Sequence, residues 1–121
     1  MVVTKVTTVG AAQVFYCDVT LAELYYGALL KQTRSPTKGD ELLRRIEVLS
    51  LFFPRVALTP DVARKFGEIK TDLQLRGMPI EDLDILIAAH ALAYQCTLVT
   101  SNVSHFQRIP SLMIENWAAT P

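Results

Sequence analysis

The sequence predicts an α/β fold in which helices cover a parallel sheet. Short apolar runs alternate with longer segments whose apolar residues recur at helical spacing, and this alternation is typical of a parallel sheet between helices. One segment, residues 83–94, is apolar on nearly every side, so a helix formed there has to be buried. Half of the 121 residues are hydrophobic, which is enough for one packed core. We expect a single domain over residues 1–121.

The first half of the chain predicts two strands and two helices. Residues 14–19 form a short apolar run that predicts a buried strand, and Thr20 opens a helix that continues to about residue 31. Residues 34–39 predict a loop because they contain Ser, Pro and Gly. A helix over residues 42–53 follows, ended by Pro54, and residues 56–58 predict a second strand.

The second half begins with a clear helix start. Thr59, Pro60 and Asp61 supply an N-cap, a first-turn proline and an acid beside the positive end of the helix. Gly77 is well placed to end this helix. The apolar helix over residues 83–94 precedes a strand at residues 97–100, a polar loop and a last strand at residues 112–114.

Charge and cysteine content narrow the functional classes. The 12 basic and 12 acidic residues cancel, which argues against a non-specific polyanion coat but leaves room for a nuclease with a locally basic rim. Cys17 and Cys96 fit neither a disulfide framework nor a zinc site, and they suit a reducing cytoplasm as small buried hydrophobes. No signal peptide or membrane-spanning run is apparent. We expect a soluble, cytoplasmic protein that does not bind membranes.

Asp84 is the most informative side chain, because it lies at the start of the buried helix among Leu and Ile residues. A carboxylate is costly to bury unless it is paired, hydrogen-bonded or bound to a metal. The alternative is an acid that interacts with free N–H groups at the helix start. Asp82 is the better N-cap candidate of the two acids. Residues two apart do not share a helix face, so Asp82 converges with Asp84 only if Asp82 lies in the preceding loop.

Glu23 has two competing interpretations. With Thr20 it fits a capping box, in which the Glu bonds back to the cap residue. Alternatively, an acid just past a strand's carboxyl end points into the crevice where open α/β sheets bind ligands.

Asn102 follows another predicted strand, although turn chemistry alone also explains it. Together, Glu23, Asp84 and Asn102 form a plausible oxygen-rich site for Mg²⁺ or Mn²⁺. His90 fits a hydrogen-bonded core histidine, whereas His105 faces either the cleft or solvent.

Three blocks of the sequence carry a family resemblance. They are residues 19–28 (VTLAELYYGA), residues 77–80 and 84–91 (GMPI and DILIAAHA), and residues 98–102, 106–110 and 115–117 (LVTSN, FQRIP and ENW). In order and spacing they resemble the VapC-type PIN-domain ribonuclease toxins, and the resemblance covers about residues 14–117. The pattern is most similar to that of the initiator-tRNA-cleaving endonucleases.

The resemblance implies a PIN-like fold and an endoribonuclease in which acids hold Mg²⁺ or Mn²⁺ and the ion activates water to attack an RNA phosphodiester. By matching position, Glu23 and Asp84 are the catalytic, metal-binding acids, and Asp82 is a neighbouring acid of the same cluster. Asn102 stands where many members have Asp, and His105 where close relatives often have an acid. The family also implies RNA as substrate, a VapB-type antitoxin as partner and a homodimer.

The chain departs from the family pattern at its start. Family members begin with a strand that ends in Asp-Thr or Asp-Ser, whereas residues 1–12 contain no acid. Asp18, the one acid before Glu23, matches the family's second strand. The chain thus resembles a PIN domain that lacks its first strand and helix, a loss that predicts an exposed sheet edge and a weaker metal site. An alternative function follows: a catalytically defective PIN remnant that acts as a protein-binding or dimerisation module.

Overall fold

The computed structural model describes the backbone of residues 3–8 and 11–116 and the side chains of residues 14–116. No helix in these ranges is both long enough and apolar enough to cross a membrane. The elements in chain order are β1 Val3–Thr8, β2 Ala11–Cys17, α1 Asp18–Arg34, α2 Pro36–Phe52, β3 Arg55–Val56, α3 Pro60–Leu75, α4 Asp82–Ala93, β4 Thr97–Val99, α5 Val103–Phe106 and β5 Ile114–Glu115.

The α/β class is confirmed, but the sheet is mixed rather than wholly parallel. Its order is β3-β2-β1-β4-β5; β2 pairs with β3 and β4 with β5 in parallel, while β1 runs antiparallel to both β2 and β4. The reversal has a simple cause. Only two residues separate β1 from β2 in the sequence, and so short a connection makes a hairpin, whereas a parallel pair needs a crossover of roughly a dozen residues.

The exposed edge expected from the loss of a central strand is not found in the sheet of the described residues, because β1 fills the central position. Its register places Thr4 opposite Phe15 on one side and opposite Leu98 on the other. A strand from residues 3–8 was not predicted from the sequence.

Helix boundaries differ from the predictions in the first half. The first helix, α1, begins at Asp18, two residues before Thr20, and runs to Arg34. The predicted loop over residues 34–39 is wrong except for Ser35, because α2 begins at Pro36; proline without an N–H is well suited to a helix's first turn.

The predicted ends of α3 are confirmed. The Thr59 hydroxyl accepts a hydrogen bond from the N–H of Val62 (3.3 Å). Gly77 has a φ of +65°, and the next N–H, that of Met78, donates to the carbonyl of Leu73 (2.9 Å). This left-handed residue closes the helix end in the way that favours glycine.

The predicted buried helix, α4, lies at the centre of the core. Five of its apolar residues are at most 2% exposed: Ile85, Ile87, Ala88, Ala89 and Ala91. Apolar residues from β2, β3, α3, β4 and α5 pack around it, among them Val56, Val62, Leu73, Leu98 and Phe106. Both cysteines are free and buried, as predicted.

The sheet's directions bring three chain segments to one edge. Because β2 and β4 are both antiparallel to β1, they point the same way, and the segments that follow them emerge at the same edge. These segments carry Glu23, after β2, and Asn102, after β4. The helix α4 leads back into β4 through a short turn, so its first turn, with Asp84, faces that edge as well.

Candidate active site

Asp84 is the third residue of α4, and its side chain is only 17% exposed. Its Oδ2 lies 3.3 Å from Nδ1 of His105, on the short helix α5. The partly buried acid therefore contacts a side chain 21 residues away in the sequence. The positive end of the α4 dipole lies beside it and favours a negative charge there.

The capping-box interpretation of Glu23 is wrong. The helix α1 starts at Asp18, with Cys17 as its N-cap and no side-chain cap bond, so Glu23 is in the second turn, too far along to bond back to the cap residue. The Thr20 hydroxyl instead lies 3.5 Å from Sγ of Cys17. Glu23 is thus not used to cap α1.

Glu23 lies in a negative environment. Its pKa is raised above the ordinary 4.5, first by partial removal of the carboxylate from water, then by the charge of Asp84 and then by that of Glu81. The helices α1 and α4 contact each other, so the charges at the start of α4 act on Glu23. A divalent cation would relieve this repulsion.

Glu81 is the acid that sequence reasoning missed. It directly precedes α4 as the N-cap residue, and its side chain makes no cap bond. The prediction that Asp82 is the N-cap is therefore wrong by one residue. The signal was available in the sequence, because Glu81, Asp82 and Asp84 form one acidic run and we considered only its second and third members.

Asp82 points elsewhere. It is the first residue of α4 rather than a loop residue, so the condition for its convergence with Asp84 is not met. Its Oδ1 and Oδ2 lie 3.0 Å and 3.2 Å from Nζ of Lys70 on α3, and its side chain is 62% exposed. The structure therefore pairs Asp82 with α3.

Asn102 is connected to Asp84 through His105. The Asn102 side-chain amide lies 2.9 Å from Nδ1 of His105, and its backbone N–H donates to the Thr100 hydroxyl (3.0 Å). His105 therefore faces the cleft, the first of the two orientations that the sequence allowed. His90 is a core histidine as predicted, fully buried with Nδ1 2.8 Å from the Leu86 carbonyl.

These side chains suit a hard cation that keeps part of its water shell. Within residues 14–116, no three His, Cys, Asp or Glu side chains surround a single point. Carboxylate and amide oxygens from Glu23, Asp84 and Asn102 are the ligand types that Mg²⁺ and Mn²⁺ take, and Mg²⁺ commonly binds through one or two carboxylates plus waters. The donor set fits such an ion.

Glu23→Gln is expected to stabilise the metal-free fold at pH 7. Because the folded-state pKa of Glu23 is raised, its charged form is disfavoured by folding. This cost to the free energy of folding is present in full above the folded-state pKa and is absent below the unfolded-state pKa, about 4.5. The variant should therefore melt at a higher temperature than the wild type at pH 7 and at an equal temperature near pH 3.5. Thermal melts in EDTA at both pH values measure this; a lower melting temperature at pH 7 would contradict it.

Comparison with known proteins places this chain in a family. The family model described as PIN domain matches residues 5–112. The chain is 38% identical over 102 residues to Ribonuclease VapC2 of Rickettsia felis, covering 83% of this chain and 71% of that protein. It is 34% identical over 102 residues to the tRNA(fMet)-specific endonuclease VapC of Salmonella typhimurium, covering 83% and 72%.

Solved structures of similarly named proteins are also similar to this chain. VapBC2 from Rickettsia felis, bound to a DNA fragment from its promoter, matches with a TM-score of 0.72 at 34% identity, covering 84% of this chain and 72% of that one. VapBC-1 from nontypeable Haemophilus influenzae matches with a TM-score of 0.74 at 31% identity, covering 85% and 73%.

Proposed function

Because this chain belongs to the PIN-domain family, we propose that it is a metal-dependent endoribonuclease of the VapC toxin type. The observation that carries the proposal is the placement of Glu23 and Asp84 at one edge of the sheet, on two helices that contact each other. Burial and the charge of Asp84 raise the pKa of Glu23, as expected for acids that share a site, and one or two carboxylates are what Mg²⁺ commonly takes from a protein.

In this proposal, Glu23 and Asp84 are the catalytic acids that hold Mg²⁺ or Mn²⁺, and Asn102 supplies an amide oxygen. Asp82 is left out of the ligand set because Lys70 occupies both of its oxygens. When bound, the ion lowers the pKa of water and offsets the charge that develops on the phosphate. The first turn of α4 adds the favourable end of its dipole to the same place.

The proposed substrate is RNA, with tRNA as the first candidate. One similar protein is named a tRNA(fMet)-specific endonuclease. The chain's net charge is zero, so it has no overall attraction for polyanions, and local contacts have to supply the affinity for RNA. Its free, buried cysteines suit action in the reducing cytoplasm.

The proposed partners are a VapB-type antitoxin and a second copy of the chain, since similar solved structures are VapBC complexes. A groove of about 660 Å³ between α1 and α2 offers a place for the antitoxin. Apolar side chains line most of it, including Leu24, Leu42, Ile46, Leu49 and Phe53, and Glu23 lies on its wall. A segment seated there would reach the active site.

Cleavage of total tRNA by the purified protein tests the proposal. We expect discrete fragments with Mn²⁺ or Mg²⁺ and none with EDTA. Glu23→Gln should slow cleavage about 100-fold or more, because it removes one of the two charges that hold the ion. The matched control is Glu47→Gln, an exposed acid on α2, which should cleave like the wild type.

Two results would contradict the proposal. Cleavage that survives EDTA, or that is equally fast in Glu23→Gln, would exclude these acids from the reaction. A wild-type protein that binds Mn²⁺ but leaves every RNA intact would favour the alternative, a PIN-fold module that only binds its partner.

A further inference from the structure

Two side chains of the candidate site, those of Asp84 and Asn102, lie within hydrogen-bond distance of the same ring atom, Nδ1 of His105. This atom lies 3.3 Å from Oδ2 of Asp84 and 2.9 Å from Nδ2 of Asn102. A ring nitrogen either carries a hydrogen, which it can donate to the carboxylate, or a lone pair, which can accept the amide hydrogen. With the Asn102 nitrogen facing the ring, either choice leaves one neighbour unsatisfied; with the Asn102 oxygen there, one Nδ1 hydrogen is shared by two acceptors.

A cation between these atoms would satisfy all three side chains. The Nδ1 lone pair and the Asp84 carboxylate would both face a positive charge. A half-turn of the Asn102 amide would bring its oxygen to the place now taken by its nitrogen. The three side chains come from α4, the turn after β4, and α5, so the core of the fold positions each of them separately.

The spacing also suits coordination. Ligand atoms on adjacent corners of an octahedron with bonds of about 2.1 Å lie about 3 Å apart, close to the two separations observed. His105 is 42% exposed, so an ion in water can reach its ring.

From this geometry we infer that His105 is a nitrogen ligand of the active-site divalent ion, bound through Nδ1 beside Asp84. The inference rests on the proposed metal-dependent function and adds to it. A neutral imidazole would add no negative charge to those of Glu23 and Asp84. Imidazole suits transition metals better than it suits Mg²⁺, so this ligand shifts the site's relative affinity toward Mn²⁺.

Pulsed electron paramagnetic resonance of the Mn²⁺-loaded chain tests the inference directly, because it detects nitrogen bonded to the ion. The 121-residue protein has two histidines, so it must be free of a histidine tag. We expect imidazole ¹⁴N modulation in the wild type and its replacement by a ¹⁵N signal when only histidine is ¹⁵N-labelled. The other histidine, His90, is not expected to give this signal, because it is fully buried with its Nδ1 against the Leu86 carbonyl.

His105→Glu is the matched variant, since it keeps a ligand at the position while removing the nitrogen. It should still bind Mn²⁺, lose the nitrogen modulation and lower the Mn²⁺ preference over Mg²⁺ about tenfold. Mn²⁺ bound without nitrogen modulation, or modulation that persists in the variant, would overturn the inference and leave the proposed ribonuclease site standing. Failure of the wild type to bind Mn²⁺ at all would overturn both.

Discussion

Asp84→Asn is expected to remove most of the chain's affinity for divalent ions, while Asp82→Asn leaves it nearly unchanged. The two acids are two residues apart on α4, yet Asp84 is largely buried beside His105 and raises the pKa of Glu23, whereas Asp82 is exposed and paired with Lys70. Removing the charge at Asp84 deletes a direct attraction to the ion in a partly shielded place. We expect the dissociation constant for Mn²⁺ to rise at least about 30-fold, roughly 2 kcal/mol.

Calorimetric titration of Mn²⁺ and Mg²⁺ into the wild type and both variants measures this difference. The Asp82→Asn variant controls for the loss of any acid from the first turn of α4, since both substitutions remove the same charge from the same helix end. It also breaks an exposed ion pair, which is worth only about 0–1 kcal/mol to folding. Equal affinities in the wild type and Asp84→Asn would show that Asp84 holds no ion.

The sequence predicted correctly those helices whose signals lie within the helix itself or at its ends. Burial of α4 follows from its apolar residues on nearly every side. The ends of α3 follow from Thr59 and Gly77, and neither prediction needs knowledge of distant residues. The strand β1 was missed because its place depends on two partners, one of them more than 90 residues away. Its reversal follows from hairpin geometry, which becomes decisive only once residues 3–8 are known to form a strand.

For the candidate site, the sequence predicted which acids are involved but not how each is oriented. Glu23 could be assigned to the ligand edge because it follows a strand, whereas Asp84 follows the helix α3 and stood out only as an acid within an apolar helix. The separate orientation of Asp82 depends on Lys70, 12 residues away on another helix. The contact between Asp84 and His105 likewise depends on how α5 packs after β4. Sequence spacing identified the candidate acids, but tertiary packing determined which of them face one another.

Gly39→Ala is expected to destabilise the fold by about 1–3 kcal/mol, the usual range when extra atoms are forced into a packed contact. Gly39 is buried on α2 where that helix crosses α1. A Cβ built there would overlap the backbone and the Cβ of Gln32 on α1, and rotating a side chain cannot relieve a clash with backbone. The helices would have to separate, even though alanine favours helix more than glycine does.

Gly67→Ala is the matched control, because Gly67 is inside α3 and a Cβ there meets nothing within 4 Å. The same substitution should stabilise the protein at that position, by up to about 1 kcal/mol. Urea unfolding followed by circular dichroism measures both changes, and a Gly39→Ala variant as stable as the wild type would contradict the prediction.

Because α1 carries Glu23 and shares the apolar groove with α2, separation of the two helices should also weaken Mn²⁺ binding in Gly39→Ala but not in Gly67→Ala. The close crossing at Gly39 thereby connects the packing of the helix pair to the position of an active-site acid.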